Sequence, residues 1–294
     1  MIRKSSSLIR CLRGAEKIVE GLNRRYHGHK CSSTRSLSSQ PVVELREDFL
    51  VPQHSKSYFD QFKNSQKNHN DGVIDPSKVN LCFMSRPESG GPLHVATHAY
   101  YYSGGLAELQ WQRKKMEDSE TNDNLLAYIQ SQQSSVYVEA PLVKEGRPNF
   151  VIGLENTTVG SYEEMNGVGN NSSGNRNSED CILELRRYNL KLGYDTVPKF
   201  LELYGAGLPS KLQAPGTDPT TSLVTLLYSE VGRLNEVIEI WSHGGGVPAM
   251  ERSRVAARKA QEWRTAIASI ADLAIEFRST IHRPVVVASP TLIK

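Results

Sequence analysis

Two stretches of the chain carry the same alternation of apolar and polar positions. In "VVELREDFL", residues 42–50, Val43 and Leu45 fall on one side, and Val42, Glu44, Arg46 and Asp48 on the other. In "ILELRRYNL", residues 182–190, Leu183 and Leu185 oppose Ile182, Glu184, Arg186 and Tyr188. A period of two is the mark of a strand. Each stretch leads into an amphipathic helical pattern, "SKSYFDQFKN" from Ser55 and "DTVPKFLELY" from Asp195. In the latter, Val197, Phe200 and Tyr204 have core spacing, Pro198 suits a first turn and Asp195 a cap. Two longer runs follow, Leu81 to Leu106 and Thr225 to Val247, each split by a Gly-containing turn, which predicts hairpins. Next in each copy come a charged helix, "AELQWQRKKMED" or "PAMERSRVAARKAQ", and a further amphipathic helix. The stripe of the second copy's last helix is read as Trp263, Ile267, Ile270, Ala274 and Phe277. A short strand reaching a proline, Pro141 or Pro284, closes each copy.

The order β-α-β-β-α-α-β thus occurs twice, with glycines and prolines in register. It is a split βαβ plan with an added helix. The predicted fold class is α+β, with tandem ferredoxin-like domains packing as a dimeric-type α/β barrel. Closure within one chain or between chains is left open, and so is a homo-oligomer. The boundaries read as a leader over 1–40, a first domain over 41–143, a Gly/Asn/Ser-rich linker over 144–180, a second domain over 181–288 and a tail over 289–294.

Aligning the glycine clusters sets His98 opposite Glu239 and Tyr100 opposite Trp241. The apolar rows are expected to pack on helices and the mixed rows to look into the barrel. That places Glu44, Arg46, His98, Tyr100, Glu184, Arg186, Tyr188, Glu239 and Trp241 in the lumen. Charges buried there need partners. The set reads either as an ion-pair core joining two sheets or as a ligand pocket lined by aromatics and a few oriented polar groups.

Charge changes the picture at one end. Residues 1–40 carry nine Lys/Arg against Glu16 and Glu20, a net of +7, and the remainder is −4. The acidic body has no basic bias suited to nucleic acid. The Arg- and Ser-rich start has the profile of an organelle transit peptide, with a mitochondrion favoured over a plastid and cleavage near Arg35–Gln40. No apolar run is long enough to predict a transmembrane segment. Cys82 and Cys181 are far apart in the sequence, and no metal-ligand spacing appears, so neither metal nor cofactor is expected. Walker, Rossmann, HExxH and CxxC patterns are missing, and the "HGGG" at 243–246 has no accompanying nucleophile elbow. Arg252, Arg254, Arg258, Lys259 and Arg264 read as a solvated cationic face or a docking patch for an acidic partner.

The second copy resembles the NIPSNAP family. The features that carry the resemblance stand at Glu184, Leu185, Arg186, Tyr188, Lys191, Gly193, Gly232, Leu234, Asn235, Trp241, Arg252 and Trp263. The first copy is divergent, with Tyr100 for the tryptophan and Gly91-Pro92-Leu93-His94 at the turn. The resemblance implies a dimeric α/β-barrel fold, residence in mitochondria, and roles through protein contacts in mitochondrial quality control or adaptor recruitment, without an agreed catalytic activity. The family strand carries a histidine where Glu239 stands, and His98 fills the matching slot of the first copy. The expectation is therefore a protein acting through protein partners. The alternative is an α/β-barrel enzyme or a haem-like or oxygenase-type small-molecule binder using the lumen. An open lumen favours the alternative, and a filled one the protein-contact role.

Overall fold

The computed structural model describes residues 40–68, 80–117, 123–143 and 181–287. The leader expected over 1–40 (Gln40 apart), the linker over 144–180 and the tail over 289–294 lie outside them. The first half runs β1 (Val42–Leu50), a 3₁₀ turn (Pro52–His54), α1 (Ser55–Asn68), β2 (Asn80–Ser89), β3 (Val95–Tyr102), α2 (Gly105–Glu117), the short α3 (Asp123–Leu126) and β4 (Ile129–Glu139). The second runs β5 (Ile182–Leu190), α4 (Thr196–Leu212), β6 (Thr221–Val231), β7 (Glu236–His243), α5 (Gly246–Ala257), α6 (Gln261–Ala271) and β8 (Ala274–Val287). The seven elements recur in the same order. The opening strands even share one burial pattern, residue for residue.

All eight strands close into one antiparallel barrel in the order β1-β3-β2-β8-β5-β7-β6-β4. The halves meet at two seams, β2 with β8 and β4 with β6. Closure is therefore achieved within a single chain. Among the described residues no strand is left at an open edge for foreign pairing.

The lumen is filled by side chains. Val43, Leu45, Cys82, Phe83, Ala99 and Tyr137 of the first half pack there against Leu183, Leu185, Val224, Leu227, Ile238 and Ile240 of the second. Polar groups enter as well: Arg187 donates to Glu47 at 2.6 Å and lies 3.8 Å from Glu236, and Thr225 donates to Glu139 at 2.7 Å. The Tyr137 hydroxyl also donates to Glu236. These contacts join β1 and β4 to β5, β6 and β7 across the seams.

The two faces are therefore the reverse of the expectation. The alternation is right, but the apolar rows line the lumen and the mixed rows lie under the helices. Val42, Ala96 and Tyr100 pack with Tyr58, Phe59 and Phe62 of α1. Tyr188, Val237 and Trp241 pack with Phe200 and Tyr204 of α4 and with Trp263 of α6. The physical reason is partner supply. In the lumen a charge must find its partner on another strand, as Arg187 finds Glu47 and Glu236. Under the helices, tyrosine, lysine and arginine side chains arrive from above.

Two boundaries also move. The predicted stripe of the last helix ends early: α6 stops at Ala271, Ala274 opens β8, and Phe277 is exposed on that strand. The run Ala274–Val287 can pair along most of its length with β5 and β2, which outweighs its helical spacing. Pro284 does not end the strand but sits at a register shift against β2, where a missing N–H is tolerated. Asp195 stands at the cap position of α4 without a side-chain capping bond.

Helices α4 and α6 approach closely at Gly207. A Cβ added there would lie 2.6 Å from the Ala266 Cβ and 3.2 Å from the Trp263 ring. Gly207→Ala should therefore destabilise the fold by about 1–3 kcal/mol. A lowered urea midpoint at unchanged slope checks this, and an unchanged midpoint would show that the helices can part freely.

Candidate functional site

The strand registers confirm the pairing of the two copies. Arg46 lies opposite His98 across β1 and β3, and Arg186 opposite Glu239 across β5 and β7. Glu44 opposes Tyr100 as Glu184 opposes Trp241. Each half thus presents one set of these groups to its own helices. The structure brings the nine predicted residues together as two groups on opposite halves, not as one lumen.

In the first half the group is closed by rings. Tyr58 of α1 donates to Asp48 Oδ2 at 2.6 Å, and His98 Nε2 lies 3.0 Å from the Tyr58 oxygen and 3.2 Å from the same carboxylate. With the Tyr58 hydroxyl donating to Asp48, the His98 proton is assigned to Nε2, which faces that oxygen and that carboxylate. Arg46 donates to the Tyr100 hydroxyl at 2.5 Å, and Phe62 covers the imidazole edge-on at 5.0 Å. Burial pushes the His98 imidazolium down. Burial would raise Asp48, but the bonds and charges of His98 and Arg46 outweigh it and hold the carboxyl at about 2. Glu44 accepts from Tyr102 at 2.8 Å, Arg113 at 2.8 Å and Ser134 at 2.7 Å.

The second half is built differently. Glu239 is fully buried, which alone would raise its pKa; Lys211 and Arg186 outweigh that, and it is held at about 2. It accepts from Tyr188 at 2.9 Å, Tyr204 at 2.7 Å, Lys211 at 2.9 Å and the Trp241 indole. Lys211, on the last turn of α4, places its ammonium 3.6 Å from the Trp241 ring centre and 4.4 Å from that of Trp263. Glu184 is saturated by Arg186 through two bonds of 2.6 and 3.0 Å, by Ser279 at 2.7 Å and by Arg254. A donor chain ends on the same carboxylate. The Asp218 amide donates to Ser253, Ser253 to Thr221, Thr221 to His243 Nδ1, and His243 Nε2 faces Glu184 at 3.3 Å.

Above this floor a cavity of about 920 Å³ opens between the sheet and helices α4, α5 and α6. Its walls are Tyr188, Trp241, Trp263, Ile267, Ile270 and Phe277, its charged and imidazole groups are Arg186, Lys211, His243, Arg254, Arg258, Arg264 and Glu276, and Thr221, Ser253 and Ser279 add hydroxyls. The expected cationic face is therefore divided. Arg254 points inward to Glu184, and Arg258 and Arg264 line the cavity. Arg252 binds Asp218 at 2.6 Å, and it borders a separate shallow hollow together with Lys259.

Lys211 was not singled out in the sequence, although a signal exists. It continues the buried row Phe200, Tyr204, Gly207 at helical spacing, and a lysine in an apolar row demands a buried partner. Among the described residues no group of three or more His, Cys, Asp or Glu side chains is arranged to hold a metal ion. No described helix is long and apolar enough to cross a membrane. Cys82 and Cys181 are both buried; burial pushes the Cys181 thiol up to about 11.

No family model matches the chain, and no curated protein does. Solved structures do. A candidate monooxygenase from Lactobacillus acidophilus has a TM-score of 0.51 at 9% identity, covering 86% of this chain and 97% of its own. Another from Fusobacterium nucleatum has a TM-score of 0.53 at 9% identity, with 86% and 96% covered. These two likenesses concern the fold, an α+β barrel. A NIPSNAP-like domain protein from Burkholderia xenovorans is 22% identical over 36% of this chain and 86% of its own, with a TM-score of 0.31.

Two outcomes follow for the site. Glu239→Leu strands the Lys211 ammonium and should cost about 3–5 kcal/mol, and Lys211→Met in the same chain should recover part of it. Urea unfolding of the single and double variants measures this, and additive losses would mean the two groups do not act as a pair. The second outcome concerns acid. His98, His243, His282, Asp48, Glu184 and Glu239 all have lowered pKa values in the folded state. The unfolded chain therefore binds more protons in acid. Stability should fall as pH drops below about 6.5, and more steeply from about 4.5 toward 2. Melting temperature against pH checks the sign, and a flat profile from pH 7 to 3 would contradict it.

Proposed function

We propose that this chain binds a small molecule with an apolar body and an anionic head in the sheet–helix cavity of its second half. One observation carries the reading: a cavity of about 920 Å³, walled by aromatic rings, opens there while the lumen is filled by side chains. That volume falls within the roughly 300–1,000 Å³ of small-molecule sites. The charge balance favours an anion. Arg186, Lys211 and Arg254 face the Glu184 and Glu239 carboxylates at the floor, and along the walls Arg258 and Arg264 outnumber the carboxylate of Glu276. Two whole-length neighbours are described as candidate monooxygenases, which accords with a ligand-sized cavity in this fold; oxygenase chemistry for this chain would be a further step.

The same proposal takes the chain as a NIPSNAP-type protein with two ferredoxin-like halves, on the ordered motifs from Glu184 to Trp263 and the recurring element order. It takes the basic, Ser-rich first 40 residues as a mitochondrial address. A second role through protein contacts is supported by Leu192, Tyr194 and Leu234. These are large, exposed apolar side chains on two loops that Leu190 and Asn235 tie together by a 2.8 Å backbone bond.

Titration with 4-methylbenzoate and with neutral toluene tests the cavity. Trp241 and Trp263 report binding by fluorescence, and Trp111→Phe removes the background of the third tryptophan. Micromolar to millimolar binding of the carboxylate is expected, weakened about tenfold or more by Arg254→Ala, a loss of about 1.4 kcal/mol. Absence of saturable quenching by either compound would overturn the reading.

A further inference from the structure

We propose that Lys211 forms an imine with a small aldehyde or ketone bound in the sheet–helix cavity, with Glu239 as the resident counter-ion of the protonated product. The inference rests on the ligand-binding reading above and goes beyond it, because it names a nucleophile and a class of substrate.

Four observations bear on it. Lys211 is buried, yet its side chain lines the cavity, on the same face as the rings a guest molecule would meet. The nitrogen lies over the rings of Trp241 and Trp263, which also line the cavity and offer flat apolar surfaces to an aryl or alkyl carbonyl compound. Glu239 accepts from Nζ at 2.9 Å and is held in place by Tyr188, Tyr204 and Trp241. The charged and titratable groups around Lys211 are Glu239, Glu184, Arg186, Tyr188, Tyr204 and His243. Burial lowers the Lys211 pKa, with Arg186 assisting and Glu239 opposing, to about 8. At pH 8 about half of such a lysine is neutral, against under about 1% of a solvated one.

The step balances without an oxidant or a metal. The ammonium first loses a proton to water. The neutral nitrogen attacks the carbonyl carbon, a C–N bond forms, and the π pair moves to oxygen. A proton passes from nitrogen to that oxygen to give the carbinolamine. The C–O bond then breaks, and with one further proton the oxygen leaves as water. The product is a C=N bond, positively charged when protonated. Glu239 then pairs with that cation as it had paired with the ammonium, so no charge is left stranded.

Reductive trapping tests it. The full chain is incubated with 4-carboxybenzaldehyde or benzaldehyde and cyanoborohydride between pH 6 and 9, and adducts are located by peptide mass spectrometry. Lys211 should be labelled at least about tenfold faster than any other lysine at pH 8, with a rate that rises with pH and levels above about 8. Lys211→Arg, which keeps the charge beside Glu239, should abolish this fast adduct while its near-UV circular dichroism stays native. Should that variant fail to fold, the site-resolved rates in the wild type decide alone. Equal labelling across surface lysines, or no adduct on Lys211, overturns the proposal. If 4-methylbenzoate binds but Lys211 stays unlabelled, the imine falls and the cavity reading stands. If neither occurs, both fall.

Discussion

The barrel depends on an apolar seam. Apolar rows from two half-sheets meet inside the barrel and exclude water from both. Burial of this kind is the main favourable term in folding, and it is non-directional. Something else must therefore set the register of the halves, and backbone pairing at the β2–β8 and β4–β6 seams does so. The contacts of Arg187 with Glu47 and Glu236 add a directional link across the closed barrel. With the lumen given over to packing, any chemistry is displaced to the other side of the sheet.

On that outer side the two halves diverge from a common plan. Equivalent register positions hold His98 in one half and Glu239 in the other. In the first half an imidazole is packed by Tyr58, Phe62 and Tyr100, and its charged form is suppressed by burial. In the second half a permanent carboxylate requires a cation, and Lys211 supplies it from α4. Where the second half has the anion, a lysine and two indoles stand beside it, and the arginine is common to both halves. The half with the charged pair is the half with the large cavity above it. A constellation of this sort is costly to leave half-made, so its members are held in fixed geometry by several bonds each.

Much of this was legible in the residues. The alternation in "VVELREDFL" and "ILELRRYNL", the glycine-marked hairpins and the order of elements all follow from local rules, and the His98–Glu239 equivalence followed from aligning two turns. The end of α6 was less so. Ala274 and Phe277 have helical spacing relative to Trp263 and Ile270, but strand pairing with β5 claims them. Competition between local pattern and long-range partners is invisible in a short window.

What the sequence determined by itself was parity: which side chains stand together on each strand, and that the pattern occurs twice. Parity divides a strand into two sets and says nothing about which set is inside. Only the tertiary structure decided that. The lumen admits partners from other strands alone, whereas the covered face also admits Tyr58, Tyr204, Lys211 and Arg254 from helices. Most of the buried carboxylates lie where those donors can reach them, and the mainly apolar rows fill the lumen, where charges such as Glu47, Arg187 and Glu236 pair with one another.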